Sequence, residues 1–333
     1  MQQAPVPTPN ISIDVPQRPH SGPPAVGIVV PCFNEDAVLP ETIRRLCQLL
    51  DQLTQAGSIA PTSRVCFVDD GSRDSTWSII EQAAGQSGQV TGIKLSRNQG
   101  HQNALLAGLF TADGDVLISL DADLQDDIRA IPAMIDEYAR GTDIVYGVRS
   151  DRSSDSRFKR ATAACFYGLM RWLGAESLSN HADFRLMSRR SIEALKLFGE
   201  VNLFLRGIMP LVGFRTAVVK YERQERFAGS TKYPFVKMLS LALNAITSFS
   251  VVPLRLITAV GFIVFSFSAL MVFWTLWVRF FTNEAVPGWT STTLPIYLLG
   301  GLQILCLGII GEYLGKMYQE AKNRPRYIIE KCL

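Results

Sequence analysis

Residues 116–123, Val116-Leu117-Ile118-Ser119-Leu120-Asp121-Ala122-Asp123, are a short apolar run that ends on two carboxylates. A run of this length, bounded by turn residues, has the character of a strand buried on both faces. Similar β-branched runs occur at Val26–Val30, Arg64–Val68, Val90–Leu95 and Ile144–Tyr146. Between them lie stretches of helical period near Ala37–Leu53, from Ser75, near Gln102–Phe110 and near Ile128–Arg140. Strands alternating with helices predict an α/β domain with a mostly parallel sheet covered on both faces. Such sheets bind ligands beyond the carboxyl ends of their strands. The polar residues gather there: Asn34-Glu35 after the first strand, Asp69-Asp70-Gly71-Ser72 after the second, and Asp121-Ala122-Asp123 after the fourth.

Asp121 and Asp123 are alternate residues of an extended chain, so both side chains point the same way. Two converging carboxylates repel unless a positive group lies between them. A hard divalent cation such as Mg²⁺ or Mn²⁺, held by few protein oxygens and completed by substrate phosphates, suits that pair. Asp126 and Asp127 are expected to be N-terminal charges on the next helix. Neither G-x-x-x-x-G-K-[ST] nor G-x-G-x-x-G occurs, so a Walker loop and a Rossmann dinucleotide site are unsupported. No Ser or Cys has a plausible His base nearby. The cysteines at 32, 47, 66, 165, 306 and 332 are scattered singly, as apolar core residues of a reducing compartment, and His20, His101 and His181 lie too far apart for a zinc site.

The 333 residues carry 33 Lys+Arg against 30 Asp+Glu, a net charge of +3, which does not suggest nucleic acid. Mean hydropathy is +0.15, and the cause is local. Leu256–Val278 and Trp289–Gly311 contain no charged residue, and each is long enough to span a bilayer. The predicted organisation is a Pro-rich disordered leader over 1–24, a catalytic domain over 25–233, an interfacial helix over 234–255, a two-helix membrane region over 256–311 and a basic tail over 312–333. The leader lacks an apolar core of signal-peptide type. Lys232, Lys237 and Arg255 precede the first span, and Lys316, Lys322, Arg324, Arg326 and Lys331 follow the second. By the positive-inside rule the catalytic domain and the C-terminus share the cytoplasmic side. Gly300-Gly301, Gly308 and Gly311 allow close helix packing, so a homo-oligomer is plausible.

Several ordered motifs carry a resemblance. Val30-Pro31-Cys32-Phe33-Asn34-Glu35, Val68-Asp69-Asp70-Gly71-Ser72-Arg73-Asp74-Ser75, Arg97-Asn98-Gln99-Gly100 and Leu120-Asp121-Ala122-Asp123-Leu124-Gln125 together resemble inverting GT-A glycosyltransferases of family 2. Ala182-Asp183-Phe184-Arg185-Leu186-Met187, Arg226-Phe227-Ala228-Gly229-Ser230-Thr231-Lys232-Tyr233 and the ending Gly311-Glu312-Tyr313-Leu314-Gly315 with Arg324-Pro325-Arg326-Tyr327 are most similar to the polyprenyl-phosphate sugar transferases, of GtrB or dolichol-phosphate mannose synthase type.

The resemblance implies hexose transfer, with inversion, from a nucleotide diphosphate sugar to undecaprenyl or dolichyl phosphate in the membrane. It implies that Pro31, Phe33, Glu35, Asp69, Asp70 and Asp121 line the nucleotide site, with Asp69 accepting from the base's imino N–H. Asp121, Asp123 and Gln125 would handle Mg²⁺ or Mn²⁺ and the diphosphate. Asp183 stands at the position of the catalytic base, with orientation of Arg185 or of a sugar hydroxyl as the alternative. Arg226 and Lys232, assisted by Arg149 and Arg160, would hold the acceptor phosphate. Ala182-Asp183-Phe184-Arg185 leans toward UDP-glucose; mannose and 4-amino-4-deoxy-arabinose remain alternatives. A processive polysaccharide synthase would need a Q-x-x-R-W motif and more spans, which are not seen, and a membrane scaffold would not need three carboxylate-bearing strand ends. Where the family often has Asp-Pro-Pro-Glu, this chain has Asp126-Asp127-Ile128-Arg129, so the next helix is expected to start differently. His101 stands where Lys or Gln is common and is assigned no role.

Overall fold

The structure is a computed structural model, and it describes residues 22–149, 181–199, 205–222 and 289–333, with isolated helical residues at 257, 260–263, 266 and 270. The described residues fall into two compact units. One contains the strands and helices up to Tyr221 together with Pro325–Leu333, and the other contains Trp289–Arg324.

The first unit is built on strands β1 (Val26–Cys32), β2 (Arg64–Asp69), β3 (Val90–Leu95) and β4 (Val116–Ser119), paired in parallel as β4-β1-β2-β3. All seven residues of β1 are buried, as expected of a strand covered on both faces. The observed ends of these strands lie within two residues of those predicted.

Helix α1 (Leu39–Gln55) starts with a proline in its first turn, where no N–H is needed. It buries Leu39, Leu46, Leu49, Leu50 and Leu53 along one face. Each fully buried leucine of this kind contributes about 1.5–3 kcal/mol of transfer free energy. Helices α2 (Thr76–Gln86) and α3 (His101–Thr111) follow β2 and β3. α3 lies very close to the sheet at Gly108, where a Cβ would stand 2.3 Å from a methyl of Val29 and 2.8 Å from one of Val68.

Beyond β4 the chain departs from the simple alternation. The helix expected near Ile128–Arg140 is a 3-10 turn (Ile128–Ala130) followed by α4 (Ile131–Ala139). Asp127 caps the turn, accepting from the Arg129 amide at 3.0 Å, while its carboxylate takes the Arg129 guanidinium at 2.8 Å. β5 (Ile144–Arg149) is next, and then β6 (His181–Ser188) inserts antiparallel between β5 and β4. Helices α5 (Arg189–Lys196) and α6 (Leu205–Ile208) lead through a second 3-10 turn to β7 (Thr216–Tyr221), which pairs in parallel with β5.

The last residues supply an eighth strand. β8 (Ile329–Cys332) pairs antiparallel with β3, completing the order β7-β5-β6-β4-β1-β2-β3-β8. Lys94–Glu330 at 3.0 Å and Lys331–Glu81 at 2.5 Å flank that edge. In the second unit, α7 runs from Trp289 to Ala321, past the expected start of the tail at residue 312. Among the described residues no helix is long and apolar enough to cross a membrane. The leader up to residue 21, the interfacial helix over 234–255 and nearly all of the first expected span lie outside the described residues.

Candidate active site

The carboxyl ends of β1 and β2 are stitched into one rim. Asn34, at φ 56°, accepts the Arg73 amide at 2.9 Å and donates its own amide to the Ser72 hydroxyl at 3.0 Å. The Glu35 amide donates to Thr76 Oγ1 at 2.9 Å. Pro31 is buried behind this rim, while Phe33 is 44% exposed on it.

Asp69 ends β2 fully buried. Its Oδ1 accepts the Ser72 amide at 3.2 Å, and among the described residues its Oδ2 has no hydrogen-bond partner. Burial pushes the Asp69 carboxyl above its ordinary range, against the Ser72 hydrogen bonds that pull it down. A buried acceptor without a donor is costly, and an incoming N–H would satisfy it. Asp70 is placed differently. Both of its oxygens accept backbone amides, Gln99 at 2.7 Å and Gly100 at 2.9 Å, so it holds the loop into α3.

The second cluster forms at the end of β4. Thr42 of α1 donates to the Ala122 carbonyl at 2.9 Å, fixing the Asp121–Asp123 turn from behind. Leu124 adopts φ 56°, and the Gln125 amide donates to Asp123 Oδ1 at 3.2 Å. Gln125 is buried. The antiparallel register of β6, with Ser119 opposite Arg185, carries Asp183 to this same end of the sheet. Arg185, two residues on and therefore on the same face, donates to Asp183 Oδ1 at 2.8 Å while almost completely buried. Ser119 Oγ donates to the Asp183 carbonyl.

His101, the first residue of α3, reaches between the two carboxylates. Its Nε2 is 3.3 Å from Asp121 Oδ1 and 3.6 Å from Asp183 Oδ2. Sequence reasoning gave His101 no role, and nothing local to it signals one. Its importance comes from the crossing of α3 over the end of β4. The Asp121 carboxyl is raised to about 6, first by desolvation and then by Asp183, Asp126 and Asp123, against a lowering by His101. About a third of the Asp121 side chain (35%) still reaches solvent, so the crowding is by charge as much as by enclosure.

Among the described residues no three His, Cys, Asp or Glu side chains are grouped as a complete metal site. The donor set is compatible with one bound partly by substrate. It offers hard oxygen donors on Asp121 and Asp123 and an excess of negative charge, with phosphate oxygens left to complete the shell.

Asp126 is not the N-terminal helix charge expected from sequence. Its side chain is 1% exposed, and its Oδ1 accepts from the Tyr221 hydroxyl at 2.5 Å and from Arg149 Nη2 at 3.2 Å. Burial, then Asp126, pushes the Tyr221 phenol well up, so it stays a donor. Of the expected acceptor-phosphate ligands, Arg149 is thus brought near the cluster, while Arg160, Arg226 and Lys232 lie outside the described residues.

Residues 27–196, about half of the chain and including His101, Asp121, Asp123, Gln125, Asp183 and Arg185, match the model for glycosyl transferase family 2. The chain belongs to that family. This glycosyltransferase is 50% identical to the uncharacterized glycosyltransferase YkoT of Bacillus subtilis, over 92% of its own length and 91% of that relative's. It is 42% identical to the SfII prophage-derived bactoprenol glucosyl transferase of Shigella flexneri, over 92% of this chain and 97% of the relative. It is 41% identical to the prophage bactoprenol glucosyl transferase homolog of Escherichia coli, over 92% and 98%. The recognition made from the motifs therefore holds, as does the GT-A type of α/β sheet.

Proposed function

We propose that this enzyme transfers glucose from UDP-glucose to a polyprenyl phosphate, with inversion at the anomeric carbon, at the cytoplasmic face of a membrane. The observation that carries this is the meeting of Asp121 and Asp183 at the end of β4, 3.3 Å and 3.6 Å from one imidazole. The choice of sugar and lipid is supported by the bactoprenol glucosyl transferases, which match over nearly their whole length.

The nucleotide would lie along the β1–β2 rim. Asp69 Oδ2, buried and without a partner among the described residues, would accept the N–H of a uracil-like base edge. Phe33 offers an exposed ring at the lip, with Pro31 and Glu35 beside it. Asp121, Asp123 and Gln125 would hold Mg²⁺ or Mn²⁺ against the diphosphate. When bound, that cation offsets the charge that develops as the sugar leaves.

Asp183, fixed by Arg185, lies across the His101 imidazole from Asp121 and would face the incoming acceptor. A phosphate monoester has a second pKa of about 6 and is mostly ionised at neutral pH. Asp183 therefore has little proton to remove, and its work divides between base and positioning of the sugar. Retained activity in Asp183→Asn would leave only the positioning role. Arg149, Arg160, Arg226 and Lys232 are proposed as the cradle for the acceptor phosphate. Membrane attachment rests on the two charge-free runs at 256–278 and 289–311 and on the basic residues that flank them.

The test is transfer of label from a panel of nucleotide sugars, UDP-glucose first, into organic-extractable lipid. Membranes would receive polyprenyl phosphate with Mn²⁺ or Mg²⁺, and Asp123→Asn would be the control. Labelled lipid that disappears in the control supports the function and names the donor. Metal-dependent UDP release with no lipid product would redirect the search to another acceptor.

A further inference from the structure

Asp126, Tyr221 and Arg149 come from three separate elements and close into one polar triangle. Asp126 follows the Asp121–Gln125 turn, Tyr221 ends β7 and Arg149 ends β5. The parallel β5–β7 register sets Arg149 directly beside Tyr221. Arg149 Nε donates to the Tyr221 hydroxyl at 3.2 Å, and its Nη2 donates to Asp126 at the same distance. Two of its donor positions are thus occupied from one side. About a third of the side chain (34%) remains open, while Asp126 behind it is closed off. Among the described residues, a planar guanidinium held in this way has one edge left for a phosphate.

The triangle is also tied to the reaction centre. The Tyr221 ring packs edge-on against Phe184, with centroids 5.3 Å apart, and Phe184 is the neighbour of Asp183 on β6. Asp126 is a buried carboxyl group, and among the described residues its Oδ2 has no hydrogen-bond partner. A position that served packing alone would be better filled by a neutral side chain. What the carboxylate adds is direction, since it fixes where the Arg149 guanidinium sits relative to the Asp121–Gln125 turn.

We propose that Asp126 and Tyr221 are positioning residues that hold Arg149 as a ligand for the phosphate monoester of the acceptor, at a set offset from the turn that handles the donor diphosphate. This rests on the lipid-phosphate acceptor proposed above. The ligand chemistry is a phosphate oxygen, which either substrate could supply, so the test separates the two.

The full-length enzyme in membranes is assayed as wild type, Tyr221→Phe and Asp126→Asn. Acceptor KM is measured by titrating polyprenyl phosphate at saturating UDP-glucose, and donor KM by the reverse titration. UDP release without acceptor and the melting temperature are also recorded. Tyr221→Phe removes one oriented hydrogen bond to the guanidinium and is expected to raise acceptor KM about five- to tenfold. Donor KM and acceptor-free UDP release should stay at wild-type values, and the melting temperature should fall by no more than the loss of one buried hydrogen bond accounts for. If Tyr221→Phe does not fold, acceptor KM is read in Asp126→Asn instead, which keeps an acceptor for Tyr221 and loses the carboxylate facing Arg149. Unchanged acceptor KM in the folded variants overturns the proposal, as does a rise in donor KM alone, which would assign Arg149 to the diphosphate. A wild type that forms no lipid product removes the acceptor itself, and so is distinguishable from a failure of the positioning argument.

Discussion

His101 Nε2 lies 3.3 Å from Asp121 Oδ1. The imidazole comes from the first residue of a helix and the carboxylate from the turn after a strand, so the contact exists only because α3 is held over the end of β4. Asp70 does the holding, through the amides of Gln99 and Gly100. One acidic turn therefore serves as scaffold for the group that faces the other.

Replacing His101 by Ala removes the one influence among those acting on Asp121 that lowers its pKa. The carboxyl should then titrate above its present value of about 6. A cation binds the ionised form, so the pH at which Mn²⁺-dependent UDP binding is half lost should move upward in His101→Ala. Calorimetric titration across a pH series reads this directly. An unmoved midpoint would show that the imidazole does nothing for Asp121.

The same raised carboxyl makes a prediction of opposite sign for stability. Asp121 titrates near 6 in the folded chain against 3.8 ordinarily, so its stabilising contribution is complete below that lower value and is lost as pH rises through about 6. At neutral pH the ionised group is a burden on the metal-free fold. Asp121→Asn should therefore melt higher than wild type at pH 7 without metal, and the gap should close on acidification. It should also lose the stabilisation that Mn²⁺ with UDP gives the wild type. A lower or equal melting temperature at pH 7 would count against the crowding of charge around Asp121.

The strands that define the domain were legible because each is a short β-branched run between turn residues, and their carboxylate-bearing ends marked the site. What the sequence did not display was long-range pairing. β6 carries Asp183 and Arg185 to Asp121 by inserting antiparallel beside β4, and no local period announces that. β8 was hidden in a segment that seemed a basic tail, because Lys331 and Glu330 find their partners Glu81 and Lys94 on distant elements. Asp126 and Asp127 look identical in sequence. Only Asp127 caps the following turn, while Asp126 turns inward to meet Tyr221 and Arg149. The motifs thus found the residues, and the topology decided which of them meet.

Asp70 is expected to matter for stability first and for activity through His101. Asp70→Ala leaves the half-buried Gln99 and Gly100 amides without their acceptor, a cost of about 1–3 kcal/mol for the two bonds. Asp70→Asn keeps one oxygen acceptor and should lose about half of that. Thermal melting in detergent orders the three proteins. If Asp70→Ala and Asp70→Asn melt together at the wild-type temperature, the loop is held by something else.

Two glycines in neighbouring helices should respond to alanine in opposite ways. At Gly85 in α2 a Cβ would meet nothing within 4 Å. There the change gains up to about 1 kcal/mol of helix propensity. At Gly108 in α3 the same propensity gain applies, but the new Cβ would stand 2.3 Å from Val29 Cγ1 and 2.8 Å from Val68 Cγ2. Both valines are fully buried in the sheet, so neither can swing aside. Overpacking of this kind costs about 1–3 kcal/mol, which exceeds the propensity gain. Gly85→Ala should melt at or above the wild-type temperature and Gly108→Ala below it. A Gly108→Ala protein as stable as wild type would mean that α3 can lift from β1 and β2, and the tight seating that brings His101 to Asp121 would lose its physical basis.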